Sequence, residues 1–197
     1  MRKLLIVEPD GSFAQIPAGR PDPLRPENRE LTTEAVRQTG ADLAVAWDAD
    51  ADRCFFFDEN GMFIEGCYIT ALLATRLLQH GGASVIFDPR AIWAVENAVI
   101  SAGGIPILNR CGHSFIKARM RKTGALFAGE ASGHYYFRDN FYADNGMIPF
   151  LLVLESLSHQ GTSLAESVNH LRASYPCLLY TSPSPRDRTR SRMPSSA

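Results

Sequence analysis

Asp48, Asp50 and Asp52 stand at spacing i, i+2, i+4 in the run Asp48-Ala49-Asp50-Ala51-Asp52-Arg53. An apolar run, Leu43-Ala44-Val45-Ala46-Trp47, precedes them, and another, Cys54-Phe55-Phe56-Phe57, follows. Three carboxylates wedged between buried strands repel one another unless a cation joins them. On an extended strand they would share one face in steps of ~6.6 Å. That is too wide for one small ion with bonds of about 2.1 Å. The spacing therefore predicts a loop at a strand end with its oxygens turned inward. All-oxygen ligation favours Mg²⁺, Mn²⁺ or Ca²⁺ over zinc. Arg53 stays protonated and offers a fork of donors suited to phosphate. A hard cation beside an arginine is equipment for phosphoryl chemistry.

Other readings of the same run exist. An EF-hand loop would use Asp48, Asp50 and Asp52 and reach Glu59 at its twelfth position. It needs glycine at the sixth, where Arg53 stands, and its loop would have to run through Phe55-Phe56-Phe57, which reads as strand. That reading is rejected. An Asp-rich surface turn is the plain alternative.

A second constellation is Gly129-Glu130-Ala131-Ser132-Gly133-His134. A carboxylate and a hydroxyl together can accept from and donate to vicinal sugar hydroxyls. Ser132 is not a hydrolase nucleophile by pattern, because G-x-S-x-G would place serine at 131, where Ala131 stands. The alternative is a turn capped by Ser132. Gly112-His113-Ser114 opens a basic helix that carries Lys117, and a helix N-terminus is an anion site. His113 reads as a phosphate ligand, an acid/base group, or simply a helix-start residue. Asp88-Pro89-Arg90 places Arg90 at another strand end. In open α/β sheets ligands gather at the C-terminal ends of strands, so all four segments are expected to lie there.

The elements that position these residues follow from periodicity. Strands are expected at 3–7, 43–47, 55–57, 84–87, 105–108 and 126–128. Helices are expected from Pro26 to about Gln38 with Gly40 as the stop, and at 68–80, 92–101, 114–122, 144–158 and 164–173. Glu59-Asn60-Gly61 reads as a hairpin turn into 62–64. Residues 8–25 read as a loop with four prolines and two glycines. Strands alternating with helices mean α/β layers.

Composition excludes several classes. The chain has 197 residues, a net charge of −1, 45% hydrophobic and 21% charged residues, which gives no nucleic-acid footprint. Its four cysteines form no C-x-x-C pair or zinc spacing, the pattern of reduced thiols in a cytoplasm. The apolar start is cut short by Glu8-Pro9-Asp10, too early for a signal peptide. The longest apolar stretch, 147–157, is about half a membrane span, so no membrane partner is expected. Residues 177–197, with four arginines and one aspartate among serines and prolines, read as a disordered tail. They look like a translated sequencing adapter, a non-native extension.

These motifs resemble those of the α-D-phosphohexomutases, above all the phosphomannomutase/phosphoglucomutase branch, from about Glu8 to Pro176. The acidic run is similar to the family's D-G-D-x-D-R magnesium loop, 129–134 to its G-E-M-S-G-H sugar-selecting loop, and Gly112-His113 with Lys117 to T-G-H-S-x-I-K. Asp88-Pro89-Arg90 and His134-Tyr135-Tyr136-Phe137-Arg138-Asp139 lean toward phosphomannomutases. The resemblance implies α/β mixed-sheet domains, with 1–66 the C-terminal part of the family's second domain and 67–176 its third. It implies Mg²⁺-dependent interconversion of hexose 6-phosphate and hexose 1-phosphate through a phosphoserine and a bisphosphate. Asp48, Asp50 and Asp52 would hold Mg²⁺ and Arg53 would steady the phosphoserine. Glu130 and Ser132 would hold sugar hydroxyls. Arg90, Gly112, His113, Lys117 and His134 would bind substrate, with His113 a candidate proton shuttle. A cytoplasmic location goes with this.

The chain departs from the pattern at Ala49, the family's loop glycine; a positive φ there would cost alanine roughly 1 kcal/mol or more. Ala131 replaces the Met or Gln that separates the phosphomannomutase and phosphoglucosamine branches. The chain shows no T-A-S-H-N-P serine loop and no C-terminal phosphate-binding domain. It is therefore expected to be an inactive fragment whose partners are the N- and C-terminal domains of the same protein. A phosphoglucosamine mutase fragment, a non-catalytic sugar-phosphate-binding module and a calcium-binding structural domain are the alternatives. Exposed sheet edges are expected in the shortened second domain.

Overall fold

The computed structural model describes residues 21–176. The expected strand at 3–7, much of the 8–25 loop and the 177–197 tail lie outside them. Two sheets are present among the described residues. The first is antiparallel, in the order β1 (Ala44–Trp47), β2 (Cys54–Phe57), β3 (Phe63–Ile64). The second is mixed, in the order β5 (Ile105–Leu108), β4 (Ser84–Phe87), β6 (Phe127–Gly129), β7 (Tyr135–Phe137), β8 (Ala143–Asp144). β4 pairs in parallel with β5 and β6, whereas β6, β7 and β8 run antiparallel.

Alternation along the second sheet sets its two faces. Val85, Phe87, Phe127, Tyr135 and Phe137 join the large core, together with α2 (Gly66–Leu77), α3 (Ile92–Ser101), α5 (Met147–Gln160) and α6 (Leu164–Ser174). Ile86, Ala128 and Tyr136 face the other way, onto Ile116 and Met120 of α4 (His113–Thr123). The domain is thus an α/β/α sandwich, and strands buried on both faces read as the continuous apolar runs seen in the sequence.

α1 (Glu30–Thr39) follows a 3-10 turn at Pro26–Asn28 and ends at Gly40, whose φ of 62° is the left-handed stop expected there. The first sheet attaches to the large core of the second sheet through its middle strand. All four residues of β2 are buried, and Cys54, Phe56 and Ile64 belong to the large core. Arg172 of α6 donates to the Phe63 carbonyl at 2.7 Å and to Glu65 at 2.9 Å.

Two expectations need correction. β7 and β8 are strands that periodicity did not reveal. Asp144, expected to open a helix, lies in β8, and α5 begins at Met147 with Asn145 Oδ1 accepting from the Met147 and Ile148 N–H groups at 2.8 Å. The gathering at one set of strand ends also changes form: the acidic loop leaves β1 of the first sheet, while Arg90, Gly112 and 129–134 follow strands of the second.

Candidate active site at the junction of the two sheets

The acidic loop curls as its spacing requires. Carboxylate oxygens of Asp48, Asp50 and Asp52 lie within 4.8 Å of one another. The turn is made by Ala51, at φ 56°, and Ala49 does not adopt a positive φ. Arg53 closes it. Its backbone N–H donates to Asp48 Oδ1 at 3.1 Å, its Nε to Asp48 Oδ2 at 2.7 Å, and its Nη1 to Asp22 Oδ1 at 3.3 Å. Burial pulls the Arg53 guanidinium down, but Asp48, Asp22 and Asp52 outweigh it and hold the group above its ordinary value. Asp52 is pushed up by burial first and by Asp48, Asp50 and Asp144 next, against the pull of His134. An all-oxygen set this close, with one carboxyl destabilised as an anion, fits a hard divalent cation.

Tertiary contacts bring the second loop onto the first. Arg53 and His134 form an antiparallel bridge, and the Cys54 N–H donates to the Gly133 carbonyl at 3.0 Å. His134 Nε2 lies 3.6 Å from Asp52 Oδ2. Trp47 Nε1 donates to the Gly146 carbonyl at 3.0 Å. The approach depends on two glycines. A Cβ on Gly133 would meet the Phe55 ring at 2.8 Å, and one on Gly146 would meet the Ala51 carbonyl at 2.5 Å and the Trp47 indole at 2.7 Å.

Within the second loop, His134 Nδ1 and Ser132 Oγ are 3.0 Å apart. Glu130 is buried, and both its oxygens are engaged: Oε1 accepts from the Gly112 N–H at 2.9 Å and Oε2 from the Tyr136 hydroxyl at 2.6 Å. Burial, and then the hydrogen bond to Glu130, pushes the Tyr136 phenol well up. Glu130 thus ties the start of α4 to β7. Lys117, one turn into α4, forms an ion pair with Asp144, its Nζ lying 2.6 Å from Oδ1. His113 is exposed at the helix start.

Arg90 stands on its own strand end. Its Nη2 lies 2.6 Å from Asp88 Oδ2 and its backbone N–H 2.8 Å from Asp88 Oδ1. Burial lowers the guanidinium, and Asp88 more than restores it. Fully buried Asp88 also accepts from the Ala131 N–H at 3.0 Å, which fastens the sugar-loop candidate to the Arg90 turn.

The structure therefore joins Asp48, Asp50, Asp52 and Arg53 to His134, and Gly112, Glu130 and Ser132 to the same loop. Sequence reasoning passed over the residues that hold these groups: Asp22, Asp88, Tyr136 and Asp144. Asp88 and Tyr136 sat inside quoted motifs, next to more conspicuous charges. Asp22 and Asp144 carried no local signal, because their partners are 31 and 27 positions away.

Among the described residues no helix is long and apolar enough to cross a membrane. Residues 5–61 match the family described as phosphoglucomutase/phosphomannomutase, alpha/beta/alpha domain II, and residues 65–175 match its domain III. A protein from Xanthomonas campestris named phosphohexose mutases is 51% identical over 171 residues, 86% of this chain and 38% of that protein. The phosphomannomutase of Escherichia coli K12 is 50% identical over 169 residues, 85% of this chain and 36% of that protein. A crystal structure of a phosphoglucomutase/phosphomannomutase family protein from Burkholderia thailandensis aligns with a TM-score of 0.69 at 33% identity, covering 78% of this chain and 33% of that one. The chain spans little more than a third of the length of the curated relatives it matches.

Proposed function

The chain belongs to the phosphoglucomutase/phosphomannomutase family, and from that premise we propose that it forms the metal and sugar-binding portion of a hexose-phosphate mutase. In this reading residues up to 66 complete the second domain and 67–176 form the third. The observation that supports it most is the contact between the two motif loops, Asp52 Oδ2 to His134 Nε2 at 3.6 Å, across 82 positions of sequence.

Asp48, Asp50 and Asp52 would hold Mg²⁺, which when bound neutralises charge on a transferring phosphoryl group. Arg53 orients the acidic loop through Asp48 and turns its remaining donors toward a phosphoserine. Ser132 and Glu130 meet the sugar hydroxyls. Because both Glu130 oxygens carry protein hydrogen bonds, a sugar hydroxyl reaches that carboxylate by sharing an occupied oxygen, each of which has a second lone pair. His134 sits between Ser132 and Asp52, where it can donate to either. His113 and Lys117 at α4, with Arg90 on its own turn, supply cationic and N–H contacts to substrate phosphate, and Gly112, its N–H held by Glu130, shapes the helix start beside them. His113 is the proton carrier in this scheme. A phosphoserine donor, a hexose 1,6-bisphosphate and a cytoplasmic setting complete the reading.

The test is a chimera in which residues 21–176 replace the matching part of the Escherichia coli phosphomannomutase. Conversion of mannose 1-phosphate to mannose 6-phosphate in Mg²⁺, lost on Asp50→Asn, is the expected result; a folded chimera without activity overturns the reading. The chain alone, given hexose 1-phosphate, bisphosphate and Mg²⁺, is expected to show no turnover.

A further inference from the structure

The geometry points to Asp144 as the positioning residue of the Lys117 ammonium, and through it of the cationic side of the site; this rests on the mutase reading above. Asp144 pairs with Tyr136 in the β7–β8 register, so the two side chains share the face covered by α4. Lys117 projects from that helix and meets Asp144 Oδ1 at 2.6 Å, with its nitrogen 5.8 Å from the centre of the Tyr136 ring. The Asp144 side chain is 11% exposed and that of Lys117 27%. A half-sequestered ion pair at this distance holds a side chain that otherwise explores many rotamers.

Position makes this more than a surface pair. Asp144, Asp52 and His134 each offer a ligand atom within 4.8 Å of the others. Asp144 therefore faces the acidic loop and the 129–134 loop while its carboxylate pairs with α4. The trio has the composition of a cation site, and the Lys117 ammonium is paired with its Asp144 member. Two successive left-handed non-glycine residues, Phe141 and Tyr142, lead the chain into β8. Strain of this kind persists where the surroundings over-determine a position.

The chain has three lysines, Lys3, Lys117 and Lys122, so competitive acetylation read by mass spectrometry resolves each one. On the whole chain, Lys117 is expected to react at least about threefold more slowly than Lys122, and Asp144→Asn to remove that protection. Asp144→Glu, which keeps the charge, restores part of it, and serves in place of the asparagine variant if that does not fold. Unchanged Lys117 reactivity in a folded variant overturns the proposal. Mn²⁺ affinity is expected to change less than about threefold; a loss above about tenfold would make Asp144 a metal ligand and overturn it equally. In the active chimera, Asp144→Asn lowers kcat/KM by about tenfold, and the Lys117→Met/Asp144→Asn double variant falls no further than Lys117→Met alone. Losses that multiply refute a role through Lys117. A folded but inactive parent chimera removes the mutase reading, while acetylation still decides the Asp144–Lys117 link.

Discussion

In the five-stranded sheet, β4 buries Val85, Ile86 and Phe87 and has helices on both faces; in the three-stranded sheet, β1 is half-exposed along its whole length. Yet the acidic loop springs from β1, the weaker strand. What holds it is the neighbouring domain. β2 is buried to its last residue, Gly133 accepts from Cys54, and Gly146 accepts from the Trp47 indole. The metal-loop candidate is thus anchored by the scaffold that carries the sugar-loop candidate, so distortion in one should be felt in the other.

The largest effect that could break this contrast is at Phe56. It is fully buried in β2 and belongs to the large core that lies against the five-stranded sheet. Phe56→Ala is expected to cost about 3–5 kcal/mol, as large-to-small core changes do. Val45→Ala, on half-exposed β1, should cost about 1 kcal/mol or less, since little apolar area returns to water. Urea denaturation of both variants is the measurement. Equal losses would mean that β1 is as well supported as β2, and the account of borrowed stability would fail.

Part of this arrangement was legible beforehand, and the reason is locality. Asp48 to Arg53 and 129–134 advertise themselves because donors and acceptors lie side by side in the chain. The long elements were equally plain: β4, α3 and β5 fall at the expected residues because apolar runs between glycines leave few choices. β7 and β8 were not legible. Strands of three and two residues are too short to show alternation, and they exist because β6 offers an open edge. Asp144 was misplaced for a related reason. Aspartate before an apolar helical stretch reads as a cap, but Asn145 took that task and left Asp144 to Lys117.

A smaller effect tests the link in the opposite direction, from the first region to the last helix. Glu59 Oε2, in the turn after β2, accepts from the Ala165 N–H at 3.1 Å and so caps α6 from 106 positions away. Burial raises the Glu59 carboxyl, but hydrogen bonds from Ser163 and from the Glu59, Ala165 and Leu164 backbone outweigh it and hold the group below its ordinary value. A lowered folded pKa gives stability that is present above the unfolded value and lost as pH falls through the folded one. Glu59→Ala should therefore cost about 1 kcal/mol at neutral pH, or roughly 2–4 °C in melting temperature. The gap from the parent chain should close as pH falls below about 4. A gap that widens with acid would show that Glu59 is not acting as an ionised cap.

The finest distinction lies inside the acidic loop. Comparison with D-G-D-x-D-R directs attention to Ala49 as the residue under strain, whereas the left-handed residue is Ala51. An alanine in that region costs about 1–2 kcal/mol, and glycine gives back part of the gain through its freer unfolded chain, about 0.4–1 kcal/mol. Ala51→Gly should then raise stability by roughly 0.5 kcal/mol, and Ala49→Gly, with no strain to relieve, should lower it by roughly the same amount. The two variants differ by one methyl each, two positions apart, so opposite signs in paired denaturation curves can come only from local backbone geometry. Should Ala49→Gly be the stabilising change, the loop turns at 49, and the carboxylate spacing on which a shared cation depends would have to be redrawn.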